Sequence, residues 1–445
     1  MNRLLMNKKK YWCCIASVIV ITISTGAIKA QELWTLDQCI EQALKNNLNI
    51  EQAANDKMLS KVDYEASKMN FLPSLNGGVS SNNTWGLYID PTTNLLTSSS
   101  GKGLYPSLNS NLSIYEGMRK VNTVKEKQEA IELSNNKYHK TTNDITIQIT
   151  QLYFQVLLDM EQVEKTKQQI KLTQLQVDRT QKLIEGKSIA VGELYNIQSQ
   201  LATEELNLVN VQNSLDGDYL RLRQAVEVPA GKDFKIIPLV INDSTLMVQR
   251  SSLEEILGKV KNSAPEIKIA ESNLKIAELN NKIAKSGLQP SLYASGSLGT
   301  RTSNLNPESI DKQLNINRSA SLGITLSIPI FNNYHNKYSI ASSEINYKNQ
   351  KIALSIANKE LTKTIENAYH EIVAAEKKYE AVQKQLTFLQ ESFKYESKKY
   401  ELGINNAFTY NDAKNKMTQA ELELSMAKYS YLMKQKILNV YLSSN

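Results

Sequence analysis

The chain has 445 residues, of which 41% are hydrophobic and 22% are charged. This composition permits a folded core and excludes collagen-like and low-complexity proteins. The formal net charge is +7, but positions 1–30 hold five of the 52 basic residues and none of the 45 acidic ones. The remaining chain is nearly neutral and has no basic block, which argues against a nucleic-acid partner.

The N-terminal segment has the pattern of a cleaved secretory signal. Lysines at 8–10 precede a mostly apolar run at 11–25, and small residues follow. We expect cleavage after Ala27 or Ala30, so that residues 1–30 form a signal peptide. The apolar run is shorter than the roughly 20 residues of a membrane-spanning helix. The sequence therefore predicts an exported protein without a transmembrane helix.

Two copies of one unit follow each other along the chain. The segment Thr35–Ile40 recurs as Ser252–Leu257, and Phe71–Leu75 recurs as Leu288–Leu292. In both pairs the second segment starts 217 positions after the first, from 35 to 252 and from 71 to 288. A fixed displacement of this kind indicates a tandem structural repeat.

The two repeats are expected at 31–228 and 252–445, joined by a linker or equatorial segment at 229–251. In each repeat the hydrophobic period changes from helical to strand-like and back, which predicts the order helix, strand, strand, helix, helix. The first helix is expected over about 36–70, and its counterpart tolerates Pro265 near its start. The strands are expected at about 74–88 and 105–115 in the first repeat, and at about 291–300 and 319–329 in the second.

The predicted strands alternate apolar with small or polar residues, most clearly at 320–328. Such strands fit either a small sheet with one face on a core or a transmembrane β-barrel, whose strands need about 9–11 residues. Export, strand length and the repeat favour the barrel. Aromatic residues near the predicted strand ends fit the membrane interfaces: Trp85, Tyr88, Tyr105 and Phe331.

Four strands cannot close a barrel by themselves. An open sheet edge in lipid leaves backbone groups without hydrogen bonds. Several chains must therefore share the barrel, and three chains would supply twelve strands under cyclic symmetry. The sequence thus predicts an oligomer.

Two segments, 118–185 and 330–402, contain neither glycine nor proline and could each form a helix of about 100 Å. Apolar residues recur every seven positions from Ile149 to Ile184, as in a coiled coil. After Gly186 and Gly403 each repeat sends a second helix back. Each repeat therefore ends in a helical hairpin.

With these elements in place, the chain resembles the TolC family of outer-membrane efflux and secretion channels. The order of short motifs, present twice, carries the resemblance: Glu185–Gly186, Glu193–Leu194 and Gln200–Ala202 in the first repeat, and Tyr400–Gly403, Asn411–Lys414 and Ala427–Tyr429 in the second, with the strand-to-helix junctions Glu116–Arg119 and Ile328–Asn332.

The resemblance implies a mainly α fold with membrane β structure. Each chain would be one third of a homotrimer with a 12-stranded β-barrel in outer-membrane lipid and a 12-helix tunnel in the periplasm. The implied function is the passive exit duct of a tripartite efflux pump, docked to a periplasmic adaptor and an inner-membrane transporter. The alternatives are the outer-membrane component of a type I protein secretion system, or a soluble periplasmic coiled-coil adaptor.

The resemblance also implies two functional regions. The hairpin tips would dock the adaptor, and they contain Gly186, Ser188, Ile189, Gly192, Gly403, Ile404, Asn405 and Asn406. The periplasmic entrance would be constricted at Asp412 and Thr409, of which only Asp412 is a carboxylate. A purely structural role is an alternative for the tip glycines and for Asp412. Tight turns favour glycine at positive φ, and Asp412 could instead interact with the helix dipole.

The sequence does not predict an enzyme. The three histidines, His139, His335 and His370, are far apart, and His370-Glu371 lacks the second histidine of a helical zinc motif. The chain has no glycine-rich phosphate loop, and Cys39 alone would remain after signal cleavage. We therefore expect no catalytic residue, no cofactor and no metal.

Overall fold

The structure is a computed structural model that describes residues 33–186, 189–231, 233–238 and 252–443. The predicted signal peptide, Ser188 and most of the linker lie outside the described residues. The first repeat contains, in chain order, β1 (Leu33–Trp34), α1 (Leu36–Asn46), α2 (Leu48–Met69), β2 (Ser74–Thr84), β3 (Leu87–Ile89), β4 (Leu96–Ser98), β5 (Gly101–Glu116), α3 (Arg119–Glu185) and α4 (Val191–Ala225).

The short strand β6 (Lys235–Ile236) follows the first repeat and pairs in parallel with β1. The second repeat contains α5 (Leu253–Ser263), α6 (Pro265–Ser286), β7 (Ser291–Gly299), α7 (Ile310–Ile316), β8 (Ser319–Ser327), α8 (His335–Glu401) and α9 (Ala407–Leu442). The two repeats therefore share the predicted order of elements. The structure adds a small hairpin, β3–β4, in one outer loop and α7 in the other.

The first predicted helix of each repeat is two helices in the structure. Asn47 has an extended backbone, and its side chain accepts a hydrogen bond from the backbone N–H of Asn49, so it begins a new helix. In the second repeat Pro265 occupies the first turn of α6, where its missing N–H and fixed φ are tolerated. The expectation of one continuous helix was wrong, because each of these residues is a local start signal for a second helix.

The long helices are as continuous as the sequence predicts. Both α3 and α8 contain 67 residues, which corresponds to about 100 Å. Each begins after two consecutive residues at positive φ, Gly117 and Met118 in one repeat and Asn333 and Tyr334 in the other. The chain thus turns from strand to helix in the same way twice.

The central sheet has four antiparallel strands in the order β2-β5-β7-β8, so β5 and β7 join the two repeats. The first strand of this sheet, β2, ends at Thr84, earlier than the expected 88, and β5 starts at Gly101, ahead of the expected 105. Beyond β7, backbone N–H groups of Thr300, Thr302 and Asn304 continue to pair with β5.

The register separates the sheet into two faces. On one face β2 aligns Gly77 with Leu108, and β7 aligns Ala294 with Ile324 and Leu298 with Ala320. On the other face serine, asparagine, threonine and glycine dominate, and the hydroxyls of Ser297 and Ser321 lie 2.8 Å apart. The alternation predicted from sequence is therefore a property of the whole sheet.

Two apolar cores hold the helices together. The first lies among α1, α3, α4 and the β1–β6 pair, where the hydroxyl of Tyr153 donates to the carbonyl oxygens of Trp34 at 3.3 Å and Ile237 at 3.0 Å. The second lies among α5, α6, α8 and α9 and includes Ile365 and Tyr431. Among the described residues, no helix combines the length and the apolar character needed to cross a membrane.

Candidate functional site

The two helical hairpins end side by side. The guanidinium of Arg179, near the end of α3, donates to the carbonyl oxygen of Glu401 at 3.1 Å. Because Glu401 closes α8, this contact joins the tip of the first repeat to the tip of the second. The structure thus places the ends of α3 and α8, and with them the two tips, on the same side of the molecule. Ser188 lies outside the described residues.

The tip glycines differ in backbone conformation. Gly403 has a φ of +71°, a left-handed conformation that side chains with a Cβ disfavour. Gly186 has a φ of −76°, which any residue adopts. A turn requirement therefore explains glycine at 403 and does not explain it at 186. Gly192 lies in the first turn of α4, and no atom of the described residues comes within 4 Å of the position that a Cβ would take.

Exposed apolar side chains surround both turns. Ile404 is 68% exposed, and Leu402 and Phe408 beside it are at least as exposed. On the first tip Val191 and Tyr195 are exposed, while Ile189 is half-buried. Exposed large apolar groups that lie together mark interaction surfaces.

Two of the predicted docking residues have local structural roles. The side chain of Asn406 caps α9 by accepting hydrogen bonds from the backbone N–H and the hydroxyl of Thr409, both at 3.0 Å. The amide of Asn405 donates to the carboxylate of Glu396 at 2.6 Å and folds the turn against α8. Sequence reasoning missed the cap, although asparagine before an apolar helix is a usual start signal.

The predicted entrance residues lie on α9, just after this turn. Thr409 belongs to the first turn, and its hydroxyl donates a hydrogen bond to the side chain of Asn406. Asp412 lies beyond the first turn, which contains no acidic residue, and it is about half exposed and pairs with Lys416 at 2.7 Å. An interaction with the helix dipole therefore does not account for Asp412, since that effect is confined to the first turn.

A cluster of rings joins the tips, and no local sequence pattern predicts it. Tyr400 and Tyr410 are stacked with ring centroids 4.9 Å apart, and the Arg179 guanidinium lies 5.5 Å from the Tyr400 ring. Phe393 packs against Tyr410 at 5.4 Å. Burial and the nearby Tyr400 raise the pKa of Tyr410. Aromatic and cation–π contacts of this kind stabilise a packed turn.

The apolar face of the sheet is solvent-exposed in the single chain. Leu322 is 87% exposed and Ile324 is 70% exposed, although both lie on strand β8. The aromatic residues expected near the strand ends differ in their surroundings. Trp85 follows β2 and is exposed, and Phe331 packs edge-on against Tyr334, with ring centroids 5.5 Å apart. Tyr105 instead lies inside β5 opposite Ser80, on the polar face, so its predicted place at a strand end was wrong.

The histidines do not form a site. His139 lies in α3 beside Tyr138, His370 lies in the middle of α8 beside Tyr369, and His335 begins α8. Over the described ranges, no group of three histidine, cysteine or acidic side chains could hold a metal ion.

Comparison with known proteins identifies the repeat and the fold. Residues 39–226 and 256–443 each match the outer membrane efflux protein family, and the second match starts 217 positions after the first. The chain is 21% identical over 432 residues to the outer membrane protein TolC of Escherichia coli strain K12, covering 94% of this chain and 84% of that one.

Solved structures share the architecture. The crystal structures of CusC, which address folding and transmembrane channel formation, superpose with a TM-score of 0.81 at 17% identity over 92% of both chains. The Campylobacter jejuni CmeC outer membrane channel superposes with a TM-score of 0.74 at 16% identity, covering 92% of this chain and 85% of that one. These similarities confirm the predicted fold, a mainly α tandem repeat with a small antiparallel sheet.

Proposed function

The chain belongs to the outer membrane efflux protein family, and on this premise we propose that it forms the exit duct of a tripartite efflux pump. It would conduct substrates passively across the outer membrane and the periplasm. The observation that carries this proposal is the sheet, whose apolar face is exposed and whose other face is lined by serine, asparagine and threonine. Lipid would cover the first face and water the second.

The sheet also supports a homotrimer. Its outer strands, β2 and β8, each have one edge without a partner strand among the described residues. In lipid, every backbone N–H and C=O group on such an edge would lack a hydrogen bond. Pairing β8 of one chain with β2 of the next removes both edges, and three chains close a barrel of about twelve strands.

The helical hairpins would extend this barrel into the periplasm. Their long helices, α3 and α8, are each about 100 Å long and would form the wall of a tunnel, and the hairpin tips carry the apolar residues that a partner could cover. We propose that a periplasmic adaptor docks at these tips, between the duct and an inner-membrane transporter. In the trimer Asp412 would form one ring of three carboxylates at the entrance, which would attract cations.

The first test is the location and mass of the mature protein. We would separate inner from outer membranes, extract the protein in detergent and measure its mass corrected for bound detergent. We expect a trimer in the outer-membrane fraction that forms conducting channels in planar lipid bilayers. A soluble monomer or dimer would refute the barrel and would favour a periplasmic coiled-coil adaptor.

A further inference from the structure

Three helices from both repeats meet at one buried ion pair. Lys414 of α9 is 1% exposed, and its ammonium lies 3.3 Å from a carboxylate oxygen of Glu204, which is on α4 and 5% exposed. The ammonium also donates to the hydroxyl of Thr173 on α3. A charged pair this far from water connects the second hairpin to both helices of the first.

Every oxygen of the Glu204 carboxylate is engaged. One oxygen accepts from the side-chain amides of Gln169 and Gln200, each at 2.9 Å, in addition to Lys414. The other oxygen accepts from the Thr173 hydroxyl at 2.5 Å. A buried charge is tolerated when its hydrogen bonds are satisfied in this way, and removing one partner leaves the other charge uncompensated.

Most of the buried side chains around the pair are small or polar. From its start to Ala427, α9 buries no large apolar side chain among the described residues: its buried positions are Ala407, Lys414, Thr418, Ala420, Ser425 and Ala427. Over the corresponding turns the facing helix α3 buries one apolar side chain, Val163, and four polar ones, Thr166, Thr173, Gln176 and Thr180. Small side chains of similar size fit one another in several alignments, so they define the axial position of a helix weakly.

We infer that the Lys414–Glu204 ion pair fixes the axial register of the α8–α9 hairpin against the α3–α4 hairpin. A displacement of α9 by one heptad would place Ala407 or Glu421 opposite Glu204. The first leaves a buried carboxylate unpaired, and the second brings two carboxylates together. The only other base between Ala407 and Ala427, Lys416, lies on the exposed side and pairs with Asp412.

The pair is thus a positioning element, and it sets where the Gly403 tip lies relative to the Gly186 tip. Buried polar groups have this role in coiled coils, where they select one register at the expense of stability. All the contacts lie within one chain, so the inference does not rest on the proposed channel or on the trimer.

The test measures register and stability separately. Nitroxide labels are attached at two exposed positions, Asn207→Cys on α4 and Asn415→Cys on α9. Pulsed electron paramagnetic resonance then measures the distance between the two hairpins. Cys39, which is expected to remain after signal cleavage, is buried and can stay. Labelled chains are diluted into unlabelled chains, so that only distances within one chain are read.

In the unaltered pair we expect a single distance. Replacing both charges, Lys414→Met with Glu204→Leu, should leave a folded protein whose distance distribution gains a second population, displaced along the helix by about 10 Å, one heptad. The single variant Lys414→Met should lower the thermal midpoint more than the double variant, because it leaves Glu204 buried and unpaired.

A matched control uses an ion pair that also joins the two hairpins, between α3 and α9. Lys165 and Glu421 lie 3.4 Å apart and are partly exposed, and Lys165→Met with Glu421→Gln should keep the single distance. An unchanged distance in the Lys414/Glu204 double variant, or an equal change in the control, would overturn the inference. If the apolar double variant does not fold, Lys414→Gln with Glu204→Gln gives the same comparison, since amides can bond to Gln169, Gln200 and Thr173 without charge.

Discussion

The two repeats are alike in their elements and different in what those elements bury. Their long helices have the same length, 67 residues, and the hairpin partners α4 and α9 have 35 and 36 residues. Yet Tyr153 of α3 is buried, whereas His370, at the position displaced by 217, is exposed. Duplication therefore preserved helix length and strand pairing, while each copy acquired its own internal contacts.

The largest effect on the free energy of unfolding is expected from a substitution in the apolar core of the first repeat. Tyr153→Ala removes a fully buried ring and its two hydrogen bonds to the backbone of the β1–β6 region, and it should reduce the free energy of unfolding by about 3–5 kcal/mol. His370→Ala at the matching position should change it by less than about 0.5 kcal/mol. Urea unfolding of the detergent-extracted protein measures both, and equal losses would contradict the asymmetry.

A second difference between the repeats is a pair of carboxylates buried between α3 and α4. Burial, then hydrogen bonding to Asp218, raises the pKa of Asp159 to about 7. The folded protein therefore holds this proton more tightly than the unfolded chain. Its contribution to stability is complete below the usual aspartate pKa and is lost as the pH rises to about 7.

The free energy of unfolding should accordingly fall by up to about 4 kcal/mol over this pH range in the unaltered protein. Asp159→Asn should remove most of that slope, because the amide has no proton to lose. Asp216→Asn, which changes an exposed acid on α4 two positions before Asp218, is the control and should retain the slope. Thermal unfolding between pH 4 and pH 8 compares the three, and parallel curves for all of them would exclude a role for Asp159.

The tips provide the third contrast. Gly403→Val forces a β-branched side chain into a left-handed conformation and should destabilise the turn by about 1–2 kcal/mol. We expect it to abolish pump function in a drug-accumulation assay while the trimer persists. Gly186→Val, at φ −76°, should have a smaller effect on stability. Loss of the trimer in Gly403→Val would instead assign that glycine a structural role alone.

The smallest effect on stability is expected at the entrance. Asp412→Ala removes an exposed pair with Lys416, and the free energy of unfolding should change by less than about 0.5 kcal/mol. In planar bilayers the same variant should raise leak conductance and reduce cation selectivity. Lys416→Ala breaks the pair but keeps the carboxylate, so its selectivity should match the unaltered protein. Unchanged conductance and selectivity in Asp412→Ala would remove Asp412 from the proposed entrance.

Much of the fold follows from local patterns. The repeat is visible as a displacement of 217, the strands as alternation, and the long helices as segments without glycine or proline. The breaks at Asn47 and Pro265 were missed because the apolar period continues across them, although both residues are start signals. The candidate site was harder to predict from the sequence. The Asn406 cap has a sequence signal, but the contact of Arg179 with Tyr400 joins residues more than two hundred positions apart.

The sequence by itself determined the elements of this protein, because helix length, strand alternation and capping depend on neighbours a few residues away. Only the tertiary structure decided which elements meet. It paired β5 with β7 across the repeats, placed the tips together, and buried Lys414 against Glu204. These contacts depend on the three-dimensional packing of distant helices, which no local period in the chain encodes.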